Sequence, residues 1–491
     1  MRCDFFVMIG SLSRMNAPLV WTEGVAHSGM RDAFGINQSK RQRVCSRFYT
    51  QGPTSHDSPT DRLFFNPLLI KSTMRTIYLN AGRMAHFGSA GSALDEQTCG
   101  PGKAIIVKDG LIEAVKSSEE VSSEWGLPSD RINGFNKDVS VFDLEGQSIV
   151  PGLIDGHTHL IWAGDRSREV SWRREGKTYA EIANMGGGIQ HTVRETRDAT
   201  DDALVKLGYQ RLRGALRSGT THLEAKSGYG LDTASELRLL RLAEQLNGID
   251  HVPTIDPTWM GAHDVPSGAT ATDYVESLLS EQLPAVVDQG IARSADVFCE
   301  PGWFTVEQSE DVLKASRNAN LDLRMHVDEF VDGGGGDLAA ALGVTTADHA
   351  YHTSMETRLR MDSAGVNAGF LPGTPYAMGD EWPDMDAIVE HDLRFTLASD
   401  FNPNCRTMSL PFMASLMVQR CGMHPLVALA AITVNAAKTT PHPSGASHGT
   451  IVEGGVANFN IVDGPNWEAV TLSPSDTPFS GTVLNGQYIA H

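Results

Sequence analysis

The chain has 491 residues, 60 acidic against 40 basic side chains and a formal charge of −20, with 41% hydrophobic and 20% charged residues. That balance suits a soluble globular protein with a sizeable core and excludes a chain disordered throughout. An anionic surface disfavours nucleic acid, and no apolar run approaches the roughly 18 residues that span a bilayer, so neither nucleic acid nor a membrane is an expected partner.

Charge is uneven along the chain. Residues 1–73 carry nine basic and five acidic side chains, concentrated in Lys40, Arg41, Arg43 and Arg47, which leaves −24 for the other 418 residues. This segment shows no countable apolar period. It reads as a leader, disordered or upstream of a start at Met74, with an Arg- and Ser-containing transit peptide as the other reading. A secretory signal is disfavoured, because Asp4 interrupts the charged region and Phe5–Ile9 is too short an apolar one. Six widely spaced cysteines with no C-x-x-C pair fit a reduced chain, and the expected location is the cytoplasm.

From residue 74 to 148 the pattern is short and strand-like. Asp109-Gly110 stands between two β-rich runs within Lys103–Val115, a strong hairpin signal. The same style returns at Asn458–Asp463 and Gly481–Ile489, so residues 74–148 and 443–491 are expected to form one small β-sandwich domain from both chain ends. Between them, residues 149–442 alternate apolar strands with helical stretches such as Ala234–Leu246 and Val306–Ala319. Eight strands are expected: Ile149–Asp155, Thr220–Ala225, His251–Pro257, Ala295–Glu300, Leu323–Val327, Val344–Asp348, Val366–Leu371 and Arg394–Ser399. Eightfold alternation predicts an α/β fold, a (β/α)8 TIM-type barrel. An open doubly wound sheet is the alternative, but no G-x-G-x-x-G follows the first strand and no P-loop motif is present.

A barrel keeps its chemistry at the C-terminal ends of its strands. Five of the 17 histidines fall there: His157, His159, His263, His326 and His349. His157 and His159 are two residues apart, which on extended chain puts both imidazoles on one face, an arrangement that makes sense if both are neutral and share a cation. His326 can supply a third nitrogen and Asp400, after the apolar run Phe395–Ala398, an oxygen. On ligand type this set suits Zn²⁺, Fe²⁺, Mn²⁺ or Co²⁺. His349 could complete a second metal site, but a bridging lysine would be expected on strand four, where Cys299-Glu300 stands. One metal is therefore expected, with His349 on the attacking water or the oxyanion. Glu329 can carry a proton to a leaving nitrogen, Asp328 reads as structural, and Lys226 as a substrate or structural contact.

The strings Pro151–His159, His326, His349 and Asp400 resemble the amidohydrolase superfamily. More narrowly, His157–Arg166, Lys226–Leu231, Met260–His263, His326–Glu329 and Asp400–Pro403 resemble the imidazolonepropionase family, in order from about Met74 to the C-terminus. The resemblance implies metal-dependent hydrolysis of the ring amide of 4-imidazolone-5-propanoate to N-formimino-L-glutamate in histidine degradation. It implies His157, His159, His326 and Asp400 as ligands of one Zn or Fe ion, Asp400, His349 and Glu329 as catalytic groups, and a homodimer. Substrate contacts carry over to Arg166, Tyr229, His263 and Asn402, with Arg166 on the propanoate carboxylate. Asn404 stands where family members commonly have Gly, and is expected to offer its backbone N–H, helped by asparagine's tolerance of left-handed backbone. Arg406 can add positive charge near the mouth. Since the body of the chain is anionic and the implied substrate is an anion, attraction must be local, from the metal, Arg166 and His263. The rival readings are an aromatic or guanine-type deaminase of the same superfamily, and a non-catalytic barrel scaffold.

Overall fold

The computed structural model describes residues 75–88, 94–127, 134–136, 139–379 and 382–491. The expected leader, residues 1–73, lies outside them. Eight parallel strands form one sheet in chain order: β1 (Leu153–Asp155), β2 (Thr220–Lys226), β3 (Thr254–Ala262), β4 (Ser294–Cys299), β5 (Asp322–Val327), β6 (Thr346–His349), β7 (Asn367–Phe370) and β8 (Phe395–Leu397). Each is followed by helix before the next, and the sheet closes into the (β/α)8 barrel expected from the alternation. Closure occurs beyond the ends of β1 and β8. Thr158 bridges Phe401, with His159 N donating to Phe401 O (2.8 Å) and Asp400 N to His157 O (3.2 Å). The seam thus brings the His157–His159 segment against Asp400.

The alternation along β2 shows how the strands are used. Leu223 and Ala225 pack into the main apolar core, while Glu224 and Lys226 bond across to strand-end and barrel partners. Helices start where side-chain oxygens satisfy free N–H groups. Asp232 caps Thr233–Asn247, and Thr305 with Gln308 forms a capping box on Val306–Asn318, within a residue or so of the expected helices.

Two further sheets flank the barrel in sequence. One orders Leu111–Ser117, Lys103–Lys108, Arg75–Ala81, Val139–Asp143 and Gly134–Asn136. The other orders Gln487–Ala490, Phe479–Leu484, Phe459–Val462, Ile149–Pro151, Met84–Ala85 and Thr98–Cys99, so it takes strands from both chain ends. Tyr78, Ile105 and Val107 of the first sheet share an apolar cluster with Ile149, Phe459, Ile461 and Val483 of the second. The expected hairpin is present: Asp109 and Gly110 both have positive φ (52° and 78°), the twist that a two-residue turn between antiparallel strands requires.

One boundary differs in kind. The run expected as a single first strand, Ile149–Asp155, splits at Gly152. Ile149–Pro151 pairs antiparallel with Phe459–Ile461, whereas Leu153–Asp155 opens the barrel beside β2. A Cβ on Gly152 would stand 2.3 Å from Thr221 Oγ1, so the chain crosses between sheets where only glycine fits. Strand β3 also runs five residues past the expected Pro257, so that His263 follows it directly.

Candidate active site

His157, His159, His326, His349 and Asp400 are all buried and stand together at the C-terminal mouth of the barrel. Ring centroids of His157 lie 4.5 Å from His326, 5.5 Å from His159 and 5.7 Å from His349. Asp400 Oδ1 is 3.6 Å from His157 Nε2 and 3.9 Å from His159 Nε2. Two groupings, His157–His326–His349 and His157–His159–Asp400, already bring one ligand atom from each residue within 4.8 Å of the others.

The imidazoles are oriented from behind. His157 Nδ1 is 2.7 Å from Asp348 Oδ2, and His326 Nδ1 is 2.9 Å from Asp296 Oδ1. A carboxylate acceptor keeps the proton on Nδ1 and leaves the Nε2 lone pair facing the site. Both Nε2 atoms are buried without a hydrogen-bond partner, as are His159 Nδ1 and His349 Nδ1. An unpartnered buried nitrogen is costly unless something occupies its lone pair. Burial, then the crowding of neighbouring imidazoles, holds His159 and His349 well below the ordinary histidine range, and burial with Lys226 and the other rings does the same for His157. Neutral imidazoles and a carboxylate form a donor set that fits a divalent transition metal. Burial pushes the Asp400 carboxyl up, against the pull of hydrogen bonds from Thr374 and Asn402.

Backbone strain gathers here. Asp328, His349 and Asp400 have φ of 48°, 67° and 47°, a region non-glycine residues rarely occupy. The turn after β5 is held by Glu300, which accepts from the backbone N–H groups of Glu329, Phe330 and Val331. Asp328 accepts from Gly333, Gly335, Gly336 and Thr353, a structural arrangement as expected. Between them Glu329 faces the site, with Oε2 3.7 Å from His349 Nε2.

A cleft opens over these groups. Its larger lobe, about 380 Å³, is walled by Trp303, Phe330, Thr374 and Met378 and reaches Glu329 and Asp400. A smaller adjoining lobe, about 100 Å³, is lined by His159, Arg166, Tyr229 and His263 together with His326 and His349. Asn402 and Asn404 border both. All the sequence-predicted site residues therefore line one cleft except His157, which lies beneath it.

Over 363 residues the chain is 39% identical to an imidazolonepropionase of Haloarcula marismortui, a match covering 74% of this chain and 84% of that one. Over 403 residues it is 36% identical to an imidazolonepropionase of Solibacter usitatus, covering 81% and 93%. The chain belongs to the imidazolonepropionase family. Solved structures with the same fold include an adenosine deaminase from Xanthomonas campestris with bound zinc (TM-score 0.59, 14% identity, 84% of this chain and 92% of that one). A guanine deaminase from C. acetobutylicum with bound guanine is similar at TM-score 0.58 and 16% identity, covering 84% and 100%. No family profile matches the chain.

Several expectations about this imidazolonepropionase-family cleft change on inspection. Lys226 is fully buried with Nζ 2.9 Å from Glu224 Oε1 and 2.7 Å from Asp296 Oδ2, and it is not among the residues lining the cleft. The Asn404 N–H does not point to a ligand: it donates to Asn402 Oδ1 (2.7 Å), and Asn404 is not left-handed. Asn402 itself spans its loop, its Nδ2 donating to Asp400 O. His263 cannot add positive charge, since burial and then His326 lower it to about 3; its ring instead stacks on His159 at 4.7 Å. Arg166 lines the cleft with its Nε–Nη2 edge already bidentate to Glu169 (2.8 and 3.0 Å). Arg406 is exposed, beside Asp165 and over the Trp162 ring. Asp296 and Thr374, which orient His326 and Asp400, were missed. The one available signal was an aspartate inside the apolar β4 run.

Proposed function

We propose that this cleft hydrolyses the ring amide of 4-imidazolone-5-propanoate to N-formimino-L-glutamate. Family membership makes the chain a hydrolase of a cyclic-amide C–N bond. The observation that carries the site assignment is the pair of unpartnered Nε2 atoms on His157 and His326, each backed by a carboxylate, with His157 Nε2 3.6 Å from Asp400 Oδ1. His157, His159, His326 and Asp400 would hold one divalent ion, Zn or Fe. Such an ion lowers the pKa of water toward 7 and polarises the carbonyl under attack.

The protein's own groups do the rest. Asp400, together with His349, takes the proton of the attacking water. Glu329, 3.7 Å from His349, delivers a proton to the ring nitrogen as the C–N bond breaks. Arg166, held by Glu169 at the rim of the smaller lobe, is the group that meets the propanoate carboxylate, with Tyr229, His263 and Asn402 shaping the pocket around the ring. Trp303 and Phe330, stacked at 5.6 Å, wall off solvent. In the proposed organisation, residues 149–442 are the catalytic barrel, residues 74–148 and 443–491 the supporting β domain, and the enzyme is a cytoplasmic homodimer. Among the described residues no helix is long and apolar enough to cross a membrane.

The test is metal content measured alongside loss of imidazolone absorbance on the purified chain. Ammonia release from guanine with no hydrolysis of the imidazolone would overturn the reading in favour of a deaminase. A chain inactive on both after metal reconstitution would point to a scaffold.

A further inference from the structure

The loop that carries Tyr229 is built around one buried carboxylate. Residues 227–231 lead from the end of β2 toward the helix Thr233–Asn247, and Glu236, in the first turn of that helix, is fully buried against them. Its Oε2 accepts from Gly228 N at 2.8 Å, and its Oε1 from Gly230 N at 2.7 Å and Leu231 N at 2.8 Å. The Ser227 hydroxyl donates to it as well, while accepting from Met260 N (2.9 Å) on β3. Burial pushes the Glu236 carboxyl up, and these four donors pull it down. Backbone N–H groups converging on one acceptor, at the start of a helix, favour the carboxylate.

The backbone here has an unusual shape. Gly228 and Leu231 have φ of 91° and 53°, and a leucine rarely adopts the left-handed region. A Cβ at Gly230 would stand 2.7 Å from both N and Oε1 of Glu236, so the loop closes on the carboxylate where only glycine fits. Two cleft residues depend on that shape. Tyr229, between two of the gripped amides, lines the smaller lobe, its ring centroid 5.6 Å from His159 and 5.1 Å from His263. The Gly228 carbonyl oxygen is 2.9 Å from His263 Nδ1. A carbonyl only accepts, so Nδ1 carries the proton and the neutral ring keeps its lone pair on Nε2.

We propose that Glu236 is a positioning residue for substrate binding: by gripping the amides on either side of Tyr229, it sets that phenol and the His263 ring in the geometry that receives the imidazolone ring. Glu236 lines neither lobe of the cleft and acts through the loop. This role rests on the function proposed above for the cleft.

The experiment measures steady-state kinetics and bound metal for the full chain, for Glu236→Gln and for Leu246→Ala. The last removes a buried apolar side chain near the other end of the same helix. Glutamine keeps one acceptor oxygen but turns the other position into a donor facing a donor. KM for Glu236→Gln should rise about 10-fold or more, the value of a charge-assisted hydrogen bond, with a smaller change in kcat and the same metal content. Leu246→Ala should lower the melting temperature and leave KM near the wild-type value. Hydrogen exchange on the wild-type chain decides even if Glu236→Gln does not fold: the amides of Gly228, Gly230 and Leu231 should exchange as slowly as those of the neighbouring strands. The proposal is overturned if those amides exchange at the rate of an open loop, if folded Glu236→Gln keeps the wild-type KM, or if Leu246→Ala raises KM as much. A metal-loaded wild-type chain that leaves the imidazolone intact would overturn the reading of the cleft, and this role with it. Normal wild-type hydrolysis beside an unchanged KM in Glu236→Gln would overturn this role alone.

Discussion

Asp296 grips His326 and Lys226 with its two carboxylate oxygens, accepting from His326 Nδ1 at 2.9 Å and from Lys226 Nζ at 2.7 Å. Burial alone would raise this carboxyl, but His326 and Lys226 outweigh burial and hold it well below the usual range. One ionised residue of β4 therefore fixes a proposed ligand of β5 and a cation of β2. Asp296→Asn keeps the shape but weakens the acceptor and reverses which atoms can accept. Metal affinity and kcat/KM should each fall about 10–100-fold, as for other losses of a carboxylate behind a ligating imidazole. Competition with a chromogenic chelator measures the first.

Lys226 offers a prediction about stability. It is fully buried between Glu224 and Asp296, whose charges hold its ammonium above the ordinary range in spite of burial. Lys226→Met removes the cation bonded to both and leaves two buried carboxylates facing each other. The cost should be about 3–5 kcal/mol, read from the urea midpoint, because breaking a buried pair from one side leaves an uncompensated charge. An unchanged midpoint would mean that the network is not ionised.

Asp400 is predicted to matter for turnover and little for folding. Its Oδ2 accepts from Thr374 Oγ1, while Oδ1 faces His157 and His159. Asp400→Asn retains the Thr374 contact and the loop geometry but neither binds a cation as well nor takes a proton from water. The far-ultraviolet dichroism should be unchanged and kcat should fall by about two orders of magnitude or more, within the range for general-base removal. A near-normal kcat would take Asp400 out of the mechanism.

What was legible in the sequence, and what was not, follows from where each residue's partner lies. His157-Thr-His159, His326, His349 and Asp400 could be read because ligand-type side chains end apolar strand runs, and a barrel puts such ends together whatever the loops do. Asp296 and Thr374 escaped because their partners lie on neighbouring strands or loops, a relationship visible only once register is known. The split at Gly152 was hidden for the same reason: the contact that demands glycine is with Thr221, 69 positions away along the chain. Asn404 was misread because a backbone N–H has no sequence signature of its own, and Asn402 claims it.

Arg166 should act on binding more than on chemistry. Glu169 holds it bidentately and also accepts from Gly188 N, so the pair is a rigid mount at the rim of the smaller lobe. Arg166→Lys keeps the charge but loses the planar fork. KM should rise about 10–100-fold, the value of one or two charge-assisted hydrogen bonds, with a smaller change in kcat. Glu169→Gln should produce a weaker version of the same effect. Equal losses in kcat and kcat/KM for Arg166→Lys would instead assign this arginine to the transition state.

Gly369, on β7, tests the orientation of His157 from two strands' distance. A Cβ at this position would stand 2.0 Å from Asp348 Oδ1 and 2.9 Å from its Cγ, so Asp348 keeps its 2.7 Å bond to His157 only because β7 has no side chain here. Gly369→Ala should push the Asp348 carboxylate off His157 Nδ1, freeing the ring to turn and lowering metal affinity about 10–100-fold. Asp348→Ala should have a similar effect by removing the carboxylate outright. The decisive measurement is the double variant. With Asp348 truncated the clash disappears, so Gly369→Ala should then add almost nothing, a strongly non-additive cycle for two residues in contact. Additive losses would show that the glycine serves barrel packing alone and that His157 is oriented by other means.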